Sequence, residues 1–224
     1  MGNLFGQDSF LTNFLTRIAD LMVLNFLWVI GCVPIITIGT STVALYYCVE
    51  QYRVNGGIKV MKTFWDAYRS NFKQATALMG IFLLAVGVLL ADTIILYVTE
   101  LELHTLVLIL MGIVSLLCLL ALGFVFPLQA RFANTVKQTV KNAWLMSILH
   151  LPKSFLVAVL NLLPLIVWLL WPNVFYRCFG VWLLVGVSGT AYINNIILQG
   201  IFKQYYDKEM ELDISSRYKR FKRL

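Results

Sequence analysis

Residues 75–98 read ATALMGIFLLAVGVLLADTIILYV, and Asp92 is the only charge in the run. As a helix rising about 1.5 Å per residue, this stretch is long enough to cross the ~30 Å hydrocarbon core of a bilayer. The rest of the chain agrees with it. Of 224 residues, 60% are hydrophobic and only 13% charged, and the mean hydropathy is +0.80, whereas a soluble domain is roughly 45–50% apolar. A soluble chain of this length would wrap one core in a charged shell, but here the charges gather in short stretches between long apolar runs. The fold class is therefore all-α, a polytopic transmembrane helical bundle forming one integral membrane domain over 1–224. The formal net charge of +7 fits anionic lipid headgroups rather than nucleic acid, because the basic residues abut the apolar runs and form no solvated basic domain.

Five spans are expected, near 18–40, 75–98, 106–126, 155–171 and 179–202, joined by short amphipathic helices. The first apolar stretch, from Ile18 to Cys48, is too long for one straight crossing. Its interruption lies at Pro34, Thr37 and Gly39: proline removes a backbone donor, glycine loosens the chain, and Thr40 or Ser41 can cap a new helix running towards a stop at Gly56 and Gly57. One tilted crossing puts the N-terminus outside. A chain turning back at Pro34 would instead form a hairpin of two short half-spans with the N-terminus inside, and the single crossing is the expectation. Between Arg53 and Lys73, Phe64, Trp65, Tyr68 and Phe72 share a helical face, which reads as an amphipathic segment at the interface, either a membrane anchor or a protein-docking face. The third span ends at Pro127, and Trp171-Pro172-Asn173 closes the fourth. The start has no positive leader or cleavage site, so the first apolar run is expected to persist.

Orientation follows from Lys and Arg. There are five from Arg53 to Lys73, none from Thr99 to His104, four from Arg131 to Lys153, Arg177 alone in the next turn, and seven from Lys203 onward. Positive residues stay on the cytoplasmic side, so the basic loops and the C-terminus are expected there.

Catalytic signatures are missing from the sequence. There is no phosphate-cradling GxxxxGK[ST] loop, no HExxH, and no GxSxG elbow; His104 and His150 lie far apart, and Gly186-Val-Ser188-Gly189 suits close helix packing. Cys32, Cys48, Cys118 and Cys178 show no CxxC pairing and read as small apolar residues. A non-enzymatic chain with no cofactor and no metal is expected. Asn25, Asp92, Asn161, Asn194 and Asn195 are the polar residues within spans. They are candidates for a translocation path, with interhelical hydrogen bonding as the alternative for the asparagines and a reach to interfacial water for Asp92. The break at Pro34 could likewise expose backbone to a solute or form a structural kink.

Several stretches carry a family likeness. Phe14-Leu-Thr16-Arg17-Ile-Ala-Asp20-Leu, Asn25-Phe-Leu-Trp28, and the run from Pro34 through Thr37 and Gly39 to Tyr46 and Tyr47 resemble the opening of the YesL-like family of bacterial membrane proteins. The segments from Phe64 and Trp65 to Asn71, Phe72 and Gln74, and from Phe126-Pro127 to Arg131-Phe132, with Lys141-Asn142-Ala143 and Leu151-Pro152, are similar to that family's cytoplasmic segments. Its members are typically encoded beside sugar-importing ABC systems and polysaccharide-degrading enzymes. The resemblance thus implies an accessory subunit of carbohydrate (oligosaccharide) import in the bacterial cell membrane, partnered by the bilayer, by sugar ABC permease subunits and, through them, by the ATPase. A permease proper would carry a cytoplasmic Glu-Ala-Ala loop with a downstream Gly, and the stretch from Lys141 to Pro152 lacks that Gly. Phe64, Trp65, Asn71, Phe72, Arg131 and Phe132 are the candidate docking residues. The alternative is an independent small-solute transporter or channel using Asp92 and the Pro34 break.

Overall fold

In the computed structural model, which describes residues 10–98, 104–132 and 134–221, the first helix, α1 (Phe10–Gly31), stops before the proline. Three residues later a single 3-10 turn, Ile35–Thr37, leads into α2 (Ile38–Asn55). The two helices run antiparallel: Ser41 donates to the carbonyl of Trp28 at 2.8 Å, and further down Val49 and Tyr52 face Arg17, Leu21 and Leu24. The tilted crossing expected over 18–40 is therefore replaced by a hairpin. The reason is local. Pro34 has no N–H to continue the ladder, the Gly31 carbonyl is taken by the Thr37 hydroxyl at 2.8 Å, and Ser41 adds a second donor to the Trp28 carbonyl, which already accepts from the Cys32 N–H. Helix α2 is the most enclosed element, with Gly39, Thr40, Ser41, Val43, Ala44, Leu45, Tyr46, Cys48 and Val49 all buried. It ends at Gly56, whose φ of +71° is the left-handed cap that the Gly56-Gly57 pair led one to expect.

Helix α3 (Val60–Val98) is continuous over 39 residues, roughly 58 Å at 1.5 Å per residue. The separate amphipathic segment expected between Arg53 and Lys73 is its first third. That segment stands against α2, with Phe64 fully buried and Trp65 and Tyr68 packed on the same core. An aromatic face looks the same in sequence whether it meets headgroups or a neighbouring helix; here α2 supplies the partner. The approach is close at Gly39, where a Cβ would lie 2.7 Å from the Ala75 carbonyl oxygen and 2.8 Å from the Met79 Cβ.

Helix α4 (His104–Arg131) runs through Pro127 rather than ending there. The segment 99–103, with its expected lack of positive charge, lies outside the described residues, as do the side chains of the basic tail. Helix α5 (Val136–Leu149) opens with a capping box, Thr135 and Gln138 bonding reciprocally. Helix α6 (Leu151–Leu170) ends at Trp171 as the sequence indicates. Helix α7 (Pro172–Val181) passes through a π turn, Trp182–Gly186, into α8 (Val187–Phe221). A second core joins α4, α5, α6 and α8 through Phe124, Leu128, Met146, Val157 and Leu198.

The result is an all-α bundle with no strand among the described residues. Five stretches are long and apolar enough to cross a membrane: Phe14–Gly31, Val60–Leu96, Thr105–Arg131, Leu151–Leu170 and Pro172–Tyr205. Helix α2 falls outside this set because Thr40, Ser41, Thr42, Glu50, Gln51, Arg53 and Asn55 make it too polar.

A Gly39→Val substitution drives side-chain atoms into backbone at the α2–α3 contact and is expected to cost about 1–3 kcal/mol. Gly57→Ala, with nothing within 4 Å, should change stability by less than about 0.5 kcal/mol. Thermal unfolding of the two detergent-solubilised variants checks both.

Candidate functional site

The polar residues of the spans do not form one lined path. Asn25, on α1, is 1% exposed. Its carboxamide donates to the carbonyl of Leu183 at 2.6 Å and accepts from the N–H of Ser188 at 3.0 Å. Those groups are five residues apart in the chain, one within the π turn and one just beyond it, so the side-chain amide stands inside the helical ladder much as a peptide unit would. Asn194 donates to Asn161 at 2.8 Å and to the hydroxyl of Tyr46 at 3.2 Å, tying α8 to α6 and α2, while its own Oδ1 is buried with no partner. Asn195 is buried beside it in sequence. Tyr46 and Asn161 line a cavity of about 130 Å³ together with Thr42 and Thr190. Asp92 is elsewhere, exposed on the far half of α3. The turn at Pro34 leaves little backbone free for a solute, because Thr37, Ser41 and Tyr68 occupy the carbonyls of Gly31 and Trp28.

A larger and more polar site lies where α2, α4 and α8 come together at their basic ends. Here Glu50 is gripped twice: Arg53 reaches it at 3.0 Å from the same helix, and Arg131 comes across from α4 in a short contact. The guanidinium of Arg131 stacks over Phe202 at 5.4 Å, and Phe202 packs edge-to-face on Phe132. Next to them, Gln129 donates to Gln74 at 2.6 Å and accepts from Thr139 at 2.8 Å, locking α3, α4 and α5. The contacts among Glu50, Arg131, Phe132 and Phe202 border a cavity of about 770 Å³ whose lining also includes Gln51, Gln199 and Lys203.

The candidate docking residues therefore divide. Arg131 and Phe132 line this cavity. Asn71 bonds to the Ala67 carbonyl of its own helix, Phe72 is 40% exposed, Trp65 is half-buried, and Phe64 is fully buried and offers no docking surface. Glu50, Tyr46, Gln129 and Lys203 were not among the candidate site residues of the sequence. Glu50 could have been, since a lone carboxylate ending the apolar run from Val43 to Val49 needs a cation, and Arg131 is the basic residue nearest the end of another apolar run.

Residues 21–93 match the model of DUF624, a protein family of unknown function. The matched third of the chain holds Asn25, the Pro34 turn, Tyr46, Glu50, the aromatic face of α3 and Asp92, and stops short of Arg131. No curated protein and no solved structure matches the chain.

Replacing Asn25 with Leu removes the donor and acceptor serving two backbone groups in an apolar interior, each worth roughly 1–3 kcal/mol when left unpaired. A loss of at least 2 kcal/mol is expected on thermal unfolding in detergent, against a smaller loss for the more exposed Asn161→Leu.

Proposed function

We propose that the chain is a non-catalytic membrane subunit that docks laterally on the transmembrane subunits of a bacterial carbohydrate ABC importer. One observation carries the reading. No residue of 80–95 in α3 or 105–119 in α4 is buried, so the far halves of these two helices give their apolar surface to something other than the rest of the described residues. Lipid suffices for Ile81, Leu84, Leu90 and Ile94. It does not suit Asp92, exposed on the same stretch, because a carboxylate facing hydrocarbon costs several kcal/mol unless a donor or water covers it. A neighbouring helix with a hydroxyl, amide or basic group supplies that cover. The YesL-like resemblance, consistent with the DUF624 match, supplies the kind of neighbour: the family's genes lie beside sugar-importing ABC systems. On this reading the basic ends of α2, α4 and α8 face the cytoplasm, following the positive-inside distribution of Lys and Arg, on the same side as the importer's ATPase.

A carrier working alone is the second reading. It draws on the Tyr46–Asn161–Asn194 cluster, with its unpaired buried oxygen beside a small cavity. That reading needs solute flux in liposomes that falls in Asn161→Leu.

Tagged protein extracted from its native membrane in mild detergent is expected to bring down sugar-permease subunits and their ATPase, identified by mass spectrometry. Asp92→Leu is expected to lower that recovery several-fold while the chain itself is recovered normally. Repeated recovery of the wild-type chain alone, with the importer whole and fully active, rules the proposal out.

A further inference from the structure

The charged cavity between α2, α4 and α8 has an electrostatic character of its own. Glu50 is the one acid among its described lining residues, and that carboxylate is already held by Arg53 and Arg131. Arg131 and Lys203 are the two cations of that lining, and Arg53 reaches Glu50 from outside it, so positive charge outweighs negative around this partly enclosed space. One guanidinium nitrogen of Arg131, Nη1, is buried and has no hydrogen-bond partner. Leaving a charged donor unpaired in a buried position is unfavourable, and an oxyanion relieves it. The Phe202 ring beneath the guanidinium and the Glu50 contact on Nη2 fix the plane of the Arg131 head, which keeps its remaining donors oriented. Lys203, exposed on α8, and the amide of Gln199 lie on the facing wall. A volume of about 770 Å³ is within the range of small-molecule sites and larger than a bare ion needs.

We propose that this cavity binds a phosphate-bearing anion, with Arg131 and Lys203 holding the phosphoryl oxygens and Glu50 positioning Arg131. A cation is disfavoured because the single carboxylate is occupied. A guanidinium and an ammonium together suit phosphate, the first as a planar fork and the second as a mobile point charge. The phosphate can belong to a soluble ester or to an anionic lipid headgroup entering from the bilayer edge. The site stands apart from the lateral surface on α3 and α4, so its test does not depend on the importer.

The full chain in phosphatidylcholine nanodiscs is titrated with inorganic phosphate at constant ionic strength, following thermal unfolding, and the detergent-extracted protein is examined by native mass spectrometry for bound phosphatidylglycerol. A phosphate-dependent rise in Tm, with affinity weakened roughly tenfold by Lys203→Ala and abolished by Arg131→Gln, supports a soluble phosphate ligand. No rise with phosphate, but phosphatidylglycerol retained by the wild type and lost from Lys203→Ala, supports a lipid headgroup. Absence of both, or equal binding by wild type and Lys203→Ala, overturns the proposal. Lys203 is exposed and makes no packing contact in the cores, so Lys203→Ala keeps the test decisive even if Arg131→Gln does not fold.

Discussion

A helix that ends in an apolar environment leaves carbonyl groups that only protein can satisfy, and in this chain the Thr37 hydroxyl meets that need at Gly31 while Ser41 adds a second donor to Trp28. The rest of the bundle follows from it. Because the carbonyls of Trp28 and Gly31 are held by residues of the incoming strand of chain, α2 must fold back along α1 rather than continue away from it. Trp28 reinforces the pairing by donating its indole N–H to Thr42 at 3.1 Å. Once α2 lies inside, it becomes the surface on which α1, α3, α4 and α8 pack, and Gly39 lets α3 come within backbone contact. The Pro34, Thr37 and Gly39 pattern is thus three requirements of one turn: stop the ladder, satisfy its end, and let the neighbours approach.

This arrangement also explains which parts were legible in sequence. Residues 75–98 and 106–126 show their character directly, because each is apolar on nearly every side over a length that crosses a bilayer. Gly56 and Trp171 punctuate helices by rules that need no tertiary context. The direction of the chain after Pro34 was not legible: residues 38–49 are equally suited to continuing a tilted span and to packing inside a bundle, and the difference is which surfaces enclose them. The continuity of α3 was hidden for a similar reason, since Lys62, Arg69 and Lys73 mark a boundary in polarity without marking a break in the helix.

The candidate sites divide along the same line. Asn25, Asn161 and Asn194 stand out in sequence as polar residues in apolar runs, and all three make hydrogen bonds between helices. Their partners are invisible locally, because the backbone that Asn25 serves lies 158 positions away. The pairing of Glu50 with Arg131 spans 81 positions and joins two helix ends that neither sequence segment announces as neighbours. Polar contacts of this kind specify how helices pair in a medium that offers little discrimination between one apolar face and another.

The side-chain amide of Asn25 within the ladder of the last span has a bearing on how the chain tolerates change in length. A π turn holds one residue more than the same arc of α-helix, so the stretch from Trp182 to Gly186 keeps its extra residue only while Asn25 bridges the gap. Among descendants of this sequence, a one-residue deletion there and the loss of Asn25 should travel together, because either alone leaves a buried polar group without a partner or a carboxamide with nowhere to bond. An amide in the first helix thereby constrains the permitted length of the last one.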